Sequence, residues 1–221
     1  MARARPDVTP GPGGLALALG LAAAQGAFAL TFRGPRPRFW QRMTRAGLAL
    51  GAYALAVSPA ARRVRIGPRE VAQGVASAAV MYATFQVGDR FASRFVPGGE
   101  EQIRDIYALR TLRPRGEIAA RLVTVIGPAE ELFWRGAVQA GLMRRLGRWS
   151  GAAAGAAAYA GVHAVTGNVT LLGAAGVAGA HWAALYAAGV PLGALIVSHA
   201  LWDVWIFLLQ PTEGGREAGS P

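Results

Sequence analysis

Residues 190–209 read VPLGALIVSHALWDVWIFLL. A helix that crosses the ~30 Å hydrocarbon core of a bilayer needs about 20 mostly apolar residues, and this run supplies them. In lipid every backbone N–H and C=O must find a partner inside the chain, so a run of this kind takes the form of a helix. Only His199 and Asp203 within it can carry charge. They stand four residues apart and share one helix face. An ionisable group at membrane depth costs about 3 kcal/mol on insertion scales, so that face is expected to look into a protein interior rather than at lipid.

The same pattern recurs along the chain. Apolar segments at about 117–143, 150–165 and 168–188 precede the quoted one, and residues 14–32, 46–61 and 71–88 form an earlier group. The whole chain is 53% hydrophobic and only 16% charged, against about 25% charged for an average soluble domain. So few charges do not clothe a soluble globule of this size. The expected fold class is therefore all-α, a polytopic transmembrane bundle of about seven spanning helices. Residues 1–13 are expected to be a flexible N-terminal tail and 14–116 a set of anchor helices with a polar loop at 89–116. Residues 117–210 form the helical core that holds the chemistry, and 211–221 a disordered C-terminal tail. Ala27-Phe28-Ala29 resembles a signal-peptidase site. The first run nevertheless reaches spanning length and other spans follow, so it reads as an anchor.

The net charge is +11, all 23 basic residues are arginine, and cysteine is absent. The arginines crowd between the apolar runs, where membrane flanks carry them, and not along one face of a soluble fold. Nucleic acid is thus not an expected partner; the bilayer and a membrane-associated protein or peptide are. Without cysteine, disulfides, thiolate nucleophiles and zinc–thiolate sites are excluded. Seven spans place the arginine-rich loops 33–45 and 89–116 on one side together with the C-terminal tail, which makes that side cytoplasmic. The arginine-only basic set points to a GC-rich bacterium, hence to a multi-pass protein of its inner membrane.

The polar groups of the second half are few and regularly spaced. Glu131 and Arg135 lie four apart on one face and can neutralise each other, whereas Glu130 is rotated by about 100° and points elsewhere. One carboxylate can thus be structural while the other stays free, and a desolvated free carboxylate suits general-base work. Tyr159 and His163 repeat the four-residue spacing on another helix. Three helices can therefore bring Glu130, His163, His199 and Asp203 to one point. Such a set can activate water and stabilise an oxyanion, or bind a divalent metal such as zinc. His-Glu-x-x-His is missing. His181 has no partner at helical spacing and reads as a packing residue. Gly127-Pro128 is expected to interrupt its helix, because Pro128 removes one backbone donor and frees the Thr124 carbonyl. Gly151 and Gly155 give a spacing at which helices approach closely.

In these residues the chain resembles the CAAX-protease and bacteriocin-processing intramembrane proteases, the CPBP or Abi family, which includes the type II CAAX prenyl endopeptidases. Its EExxxR motif is matched by Glu130-Glu131-Leu132-Phe133-Trp134-Arg135, followed by Gly136. Its FxxxH motif is matched with tyrosine in first place, from Tyr159 to His163. Its Hxxx(N/D) motif is matched by His199 to Asp203, with an acid where the prenyl endopeptidases carry an amide. The likeness covers about residues 117–209. It implies an intramembrane endopeptidase of metallo or glutamate type. Glu130 would activate water beside His163, His199 and Asp203 would hold the oxyanion or a metal, and Glu131 and Arg135 would orient the Glu130 helix. In the metal-assisted scheme the ligands would be Glu130, His163, His199 and Asp203. The alternatives are a transporter or proton relay using the same groups, and a non-catalytic immunity or scaffold protein.

Overall fold

The computed structural model describes residues 12–212. The expected tails therefore fall outside the described residues, apart from 12–13 and 211–212. The chain is all-α. Its helices are α1 (Gly14–Phe32), α2 (Phe39–Val57), α3 (Pro59–Arg62), α4 (Pro68–Phe95) and α5 (Gly99–Tyr107), followed by α6 (115–146), α7 (Arg148–His163), α8 (Val169–Ala188) and α9 (Leu192–Leu209). No strand occurs among the described residues.

Three of these helices, α1, α8 and α9, are long and apolar enough to cross a membrane. The expected count of about seven spans exceeds these three. The difference lies in the ends of the other four. Arg42 and Arg45 sit in the first turns of α2, Asp89, Arg90 and Arg94 in the last turns of α4, α6 carries the EExxxR residues, and α7 has only 16 residues. Large apolar side chains nevertheless face outward on the rods, Leu15 at 76% and Leu30 at 72% exposure among them. An outer surface of this kind matches hydrocarbon rather than water.

Two boundaries differ from the sequence reading, each for a local reason. Helix α4 runs through residues 89–95, expected as loop, because nothing breaks it before Val96-Pro97-Gly98. Proline disfavours helical backbone at the residue before it, and Gly98 adopts φ +69°, a left-handed conformation suited to glycine. Helix α6 also continues through Gly127-Pro128 instead of breaking there. The turn at Leu122–Ile126 widens to an i→i+5 pattern, with the Gly127 N–H bonded to the Leu122 carbonyl. A wider turn accommodates the ring that would otherwise press on the carbonyl four residues back. A second widened stretch, Leu132–Gln139, follows, and Trp205–Leu209 of α9 is widened in the same way. The Glu130-Glu131 pair sits on the single ordinary turn between the two widened stretches of α6.

Close helix contacts bring this turn to its neighbours. A Cβ on Gly127 would lie 3.3 Å from the backbone of Ala200, so α6 and α9 meet nearly backbone to backbone beside His199. Gly151 and Gly155 serve the close approach expected of them: a Cβ there would lie 2.3 Å from Met143 and 3.1 Å from the Gln139 side chain of α6. The core that results is aromatic-rich, with Phe28, Phe133, Trp134 and Trp182 at most 1% exposed.

Candidate active site

Glu131 and Arg135 form the predicted pair, with Arg135 Nη1 donating to Glu131 Oε1 at 3.0 Å. Both side chains are essentially removed from solvent. Arg135 also lies over the rings of Tyr159 and Trp182, 4.8 and 5.3 Å from their centroids. A guanidinium suits such a site because it is weakly hydrated and stacks on aromatic faces.

The same Glu131 oxygen accepts a second bond, from His199 Nδ1 at 2.8 Å. A carboxylate bonded to Nδ1 places a proton on that nitrogen and turns Nε2 toward the cavity. Glu131 thus does more than orient its own helix: it fixes the imidazole of α9. The other face of that imidazole stacks on Trp182, with centroids 4.1 Å apart and planes 17° from parallel. His199 Nε2 then lies 3.6 Å from Asp203 Oδ2 and 4.0 Å from Glu130 Oε2.

Glu130 points away from Glu131, as the helix rotation requires. Its Oε2 accepts from the Tyr159 hydroxyl at 3.1 Å. The Tyr159 carbonyl in turn accepts from His163 Nδ1 at 2.8 Å. Tyrosine in first place of the FxxxH pattern therefore supplies a donor to the carboxylate that phenylalanine would lack. Changing Tyr159 to Phe removes one bond to an anionic acceptor, worth about 1.5–3 kcal/mol. The expected outcome is a fall of about ten- to a hundredfold in turnover by a peptide-cleavage assay.

Glu130, Tyr159, His163, His199 and Asp203 all line one cavity of about 590 Å³. Its remaining wall is mostly apolar, including Phe32, Phe39, Phe85, Trp202 and Phe207, with Asp89, Tyr107 and Thr212 among its polar members. The structure thus brings the candidate catalytic residues read from the sequence to one place. Glu130, Glu131, Arg135, His199 and Asp203 are linked by near contacts, and His163 joins through Tyr159. His181 lies outside this group. Its Nε2 accepts from Ser77 Oγ at 2.9 Å, Ser77 accepts from Ser198, and Ser198 from Trp182 Nε1. The chain of hydroxyls ends on the indole that faces His199. Nothing in the local spacing announces it, since its members come from α4, α8 and α9.

The donors that a divalent ion would use here are Glu130, Asp203 and the Nε2 atoms of His163 and His199, all on the cavity wall. Among the described residues no group of three or more His, Asp or Glu side chains is gathered to hold one. His163 and His199 each have Nδ1 engaged, which leaves Nε2 open, whereas Glu131 Oε1 already accepts from both Arg135 and His199.

Residues 113–205 match the family described as type II CAAX prenyl endopeptidase Rce1-like. The matched span starts just before α6 and ends within α9, so it contains every residue of the cluster. The likeness read from the three motifs holds over this span, which is that of a protease family. No curated protein and no solved structure matches the chain.

Proposed function

We propose that the Rce1-like segment makes this chain an intramembrane endopeptidase, one that hydrolyses a peptide bond of a membrane-associated protein or peptide with water activated by Glu130. The observation that carries this reading is the position of Glu130 Oε2. It is held by Tyr159 and separated by 4.0 Å from His199 Nε2, inside a largely apolar cavity. A gap of that length is too long for a direct hydrogen bond, and a water between the two groups is the nucleophile of the proposed reaction.

In the proposed reaction Glu130 takes a proton from that water as the oxygen attacks the carbonyl carbon of the scissile bond. The carbonyl oxygen gains negative charge and is met by the Nε2–H of His199, whose ring is doubly protonated in this step because Nδ1 keeps the proton it donates to Glu131. Glu131 on Nδ1 and Asp203 near Nε2 hold the ring in place for that contact. Glu130 then gives its proton to the leaving nitrogen, the C–N bond breaks, and a new carboxylate and a new amine result. Apolar walls exclude bulk water, which strengthens each of these interactions. No step passes through a metal.

The experiment is cleavage of lipidated and plain peptides by the purified protein in detergent, with products identified by mass spectrometry. Turnover is expected to persist at full rate after exhaustive treatment with a chelator. Loss of activity with the chelator, restored by zinc, would instead assign the work to a metal.

A further inference from the structure

A second cavity of about 590 Å³ lies where residues 60–70, 140–148 and 186–193 meet. That is the end of the bundle away from Phe32, Tyr107 and Thr212, which line the Glu130 cavity. Arg63, Arg65 and Arg148 line it, with Glu70 as its one acid. The Glu70 carboxylate is committed to its own helix, where Oε2 accepts from the Gly67 N–H at 2.9 Å. It does not neutralise the arginines. Arg63 and Arg65 are exposed, and their guanidinium groups bond nothing among the described residues. Arg148 donates through Nε to the Ala187 carbonyl. Two helices also begin on this wall, α7 at Arg148 and α9 at Leu192. Each contributes first-turn amides without intrahelical acceptors and the positive end of its dipole.

We propose that this cavity binds a phosphate-bearing anion, either the headgroup of an anionic membrane phospholipid or free phosphate. Guanidinium groups pair with phosphate oxygens in a two-pronged geometry that few other ligands match. Helix N-termini favour the same ligand. Basic pockets between helices at a membrane surface take lipid headgroups on these grounds. The apolar part of the wall, with Val64 and Leu192, would cover the glycerol and first acyl carbons. This site shares no residue with the proposed chemistry and stands or falls without it.

The test titrates the full chain in neutral detergent with phosphatidylglycerol, phosphatidylcholine and inorganic phosphate, reading bound ligand by native mass spectrometry. Phosphatidylglycerol is expected to bind at least tenfold more tightly than phosphatidylcholine. The double change Arg63→Gln and Arg65→Gln is expected to weaken it by about tenfold, while Arg94→Gln at the other end of α4 leaves it unchanged. If the double variant does not fold, Arg65→Gln alone carries the test, with an expected loss of about threefold. Inorganic phosphate binding as tightly, with the same sensitivity, would assign the site to the free anion. Equal binding of the two lipids with no phosphate bound, or wild-type affinity in a folded variant, would overturn the proposal.

Discussion

Replacing Glu130 with Gln is expected to lower peptide hydrolysis by about a thousandfold or more while the protein stays folded. A positioned general base contributes about 10²–10⁴ in rate, and here the same carboxylate both removes and returns the proton. The amide keeps the shape and can still bond Tyr159, so packing around α6 and α7 changes little. Glu130 is 7% exposed and lines the cavity, and it is not locked in the Arg135 pair. Steady-state cleavage and thermal unfolding measured on the same preparation check both halves of the expectation. Undiminished turnover would remove Glu130 from the chemistry.

The largest effect on stability is expected at its neighbour. Changing Arg135 to Met leaves Glu131 as a buried carboxylate whose remaining partner is His199, since its Oε2 has none. Breaking a buried pair on one side costs about 3–5 kcal/mol. For a chain of this size that corresponds to a fall in Tm of about 10 °C. The double change of Arg135→Met with Glu131→Gln is expected to lose clearly less than the sum of the two single changes, because the uncompensated charge goes with it. Activity separates the two roles of Glu131. Glu131→Gln alone should cost turnover as well as stability, since His199 loses the acceptor that fixes its proton on Nδ1. Thermal unfolding and cleavage rates of the three variants decide this, and strictly additive losses in Tm would contradict it.

These two neighbouring glutamates also show what the sequence makes legible. Helical rotation separates Glu130 from Glu131, and the four-residue spacing gives the Arg135 pair. Both are local, and both are found. The positions of α6, α7, α8 and α9 follow within a few residues from the apolar runs for the same reason. What lies beyond reach comes from contacts between helices. The Glu131–His199 bond joins residues 68 positions apart, and no periodicity within either helix encodes it. The stacking of Trp182 on His199 is equally non-local, though Trp182 stands beside a histidine that sequence reasoning did consider. The widened turns of α6 had a signal in Pro128, but that signal read as a break because proline usually ends a helix. Packing against α2 and α9 instead holds the helix together across it. The arginine cavity had a signal too, in Arg63, Arg65 and Arg148. Only the meeting of three helix junctions turns those residues from flanking charge into one lined space.

Oxygen tracing in a single turnover tests the central claim most directly. Enzyme in excess over peptide, in ¹⁸O-labelled water, is expected to place one labelled oxygen in the new carboxylate of the product and none in the protein. That is the outcome of direct attack by a water that Glu130 activates. Label in the protein peptide containing residue 130 would mean that this carboxylate attacks the substrate itself, and would contradict the account.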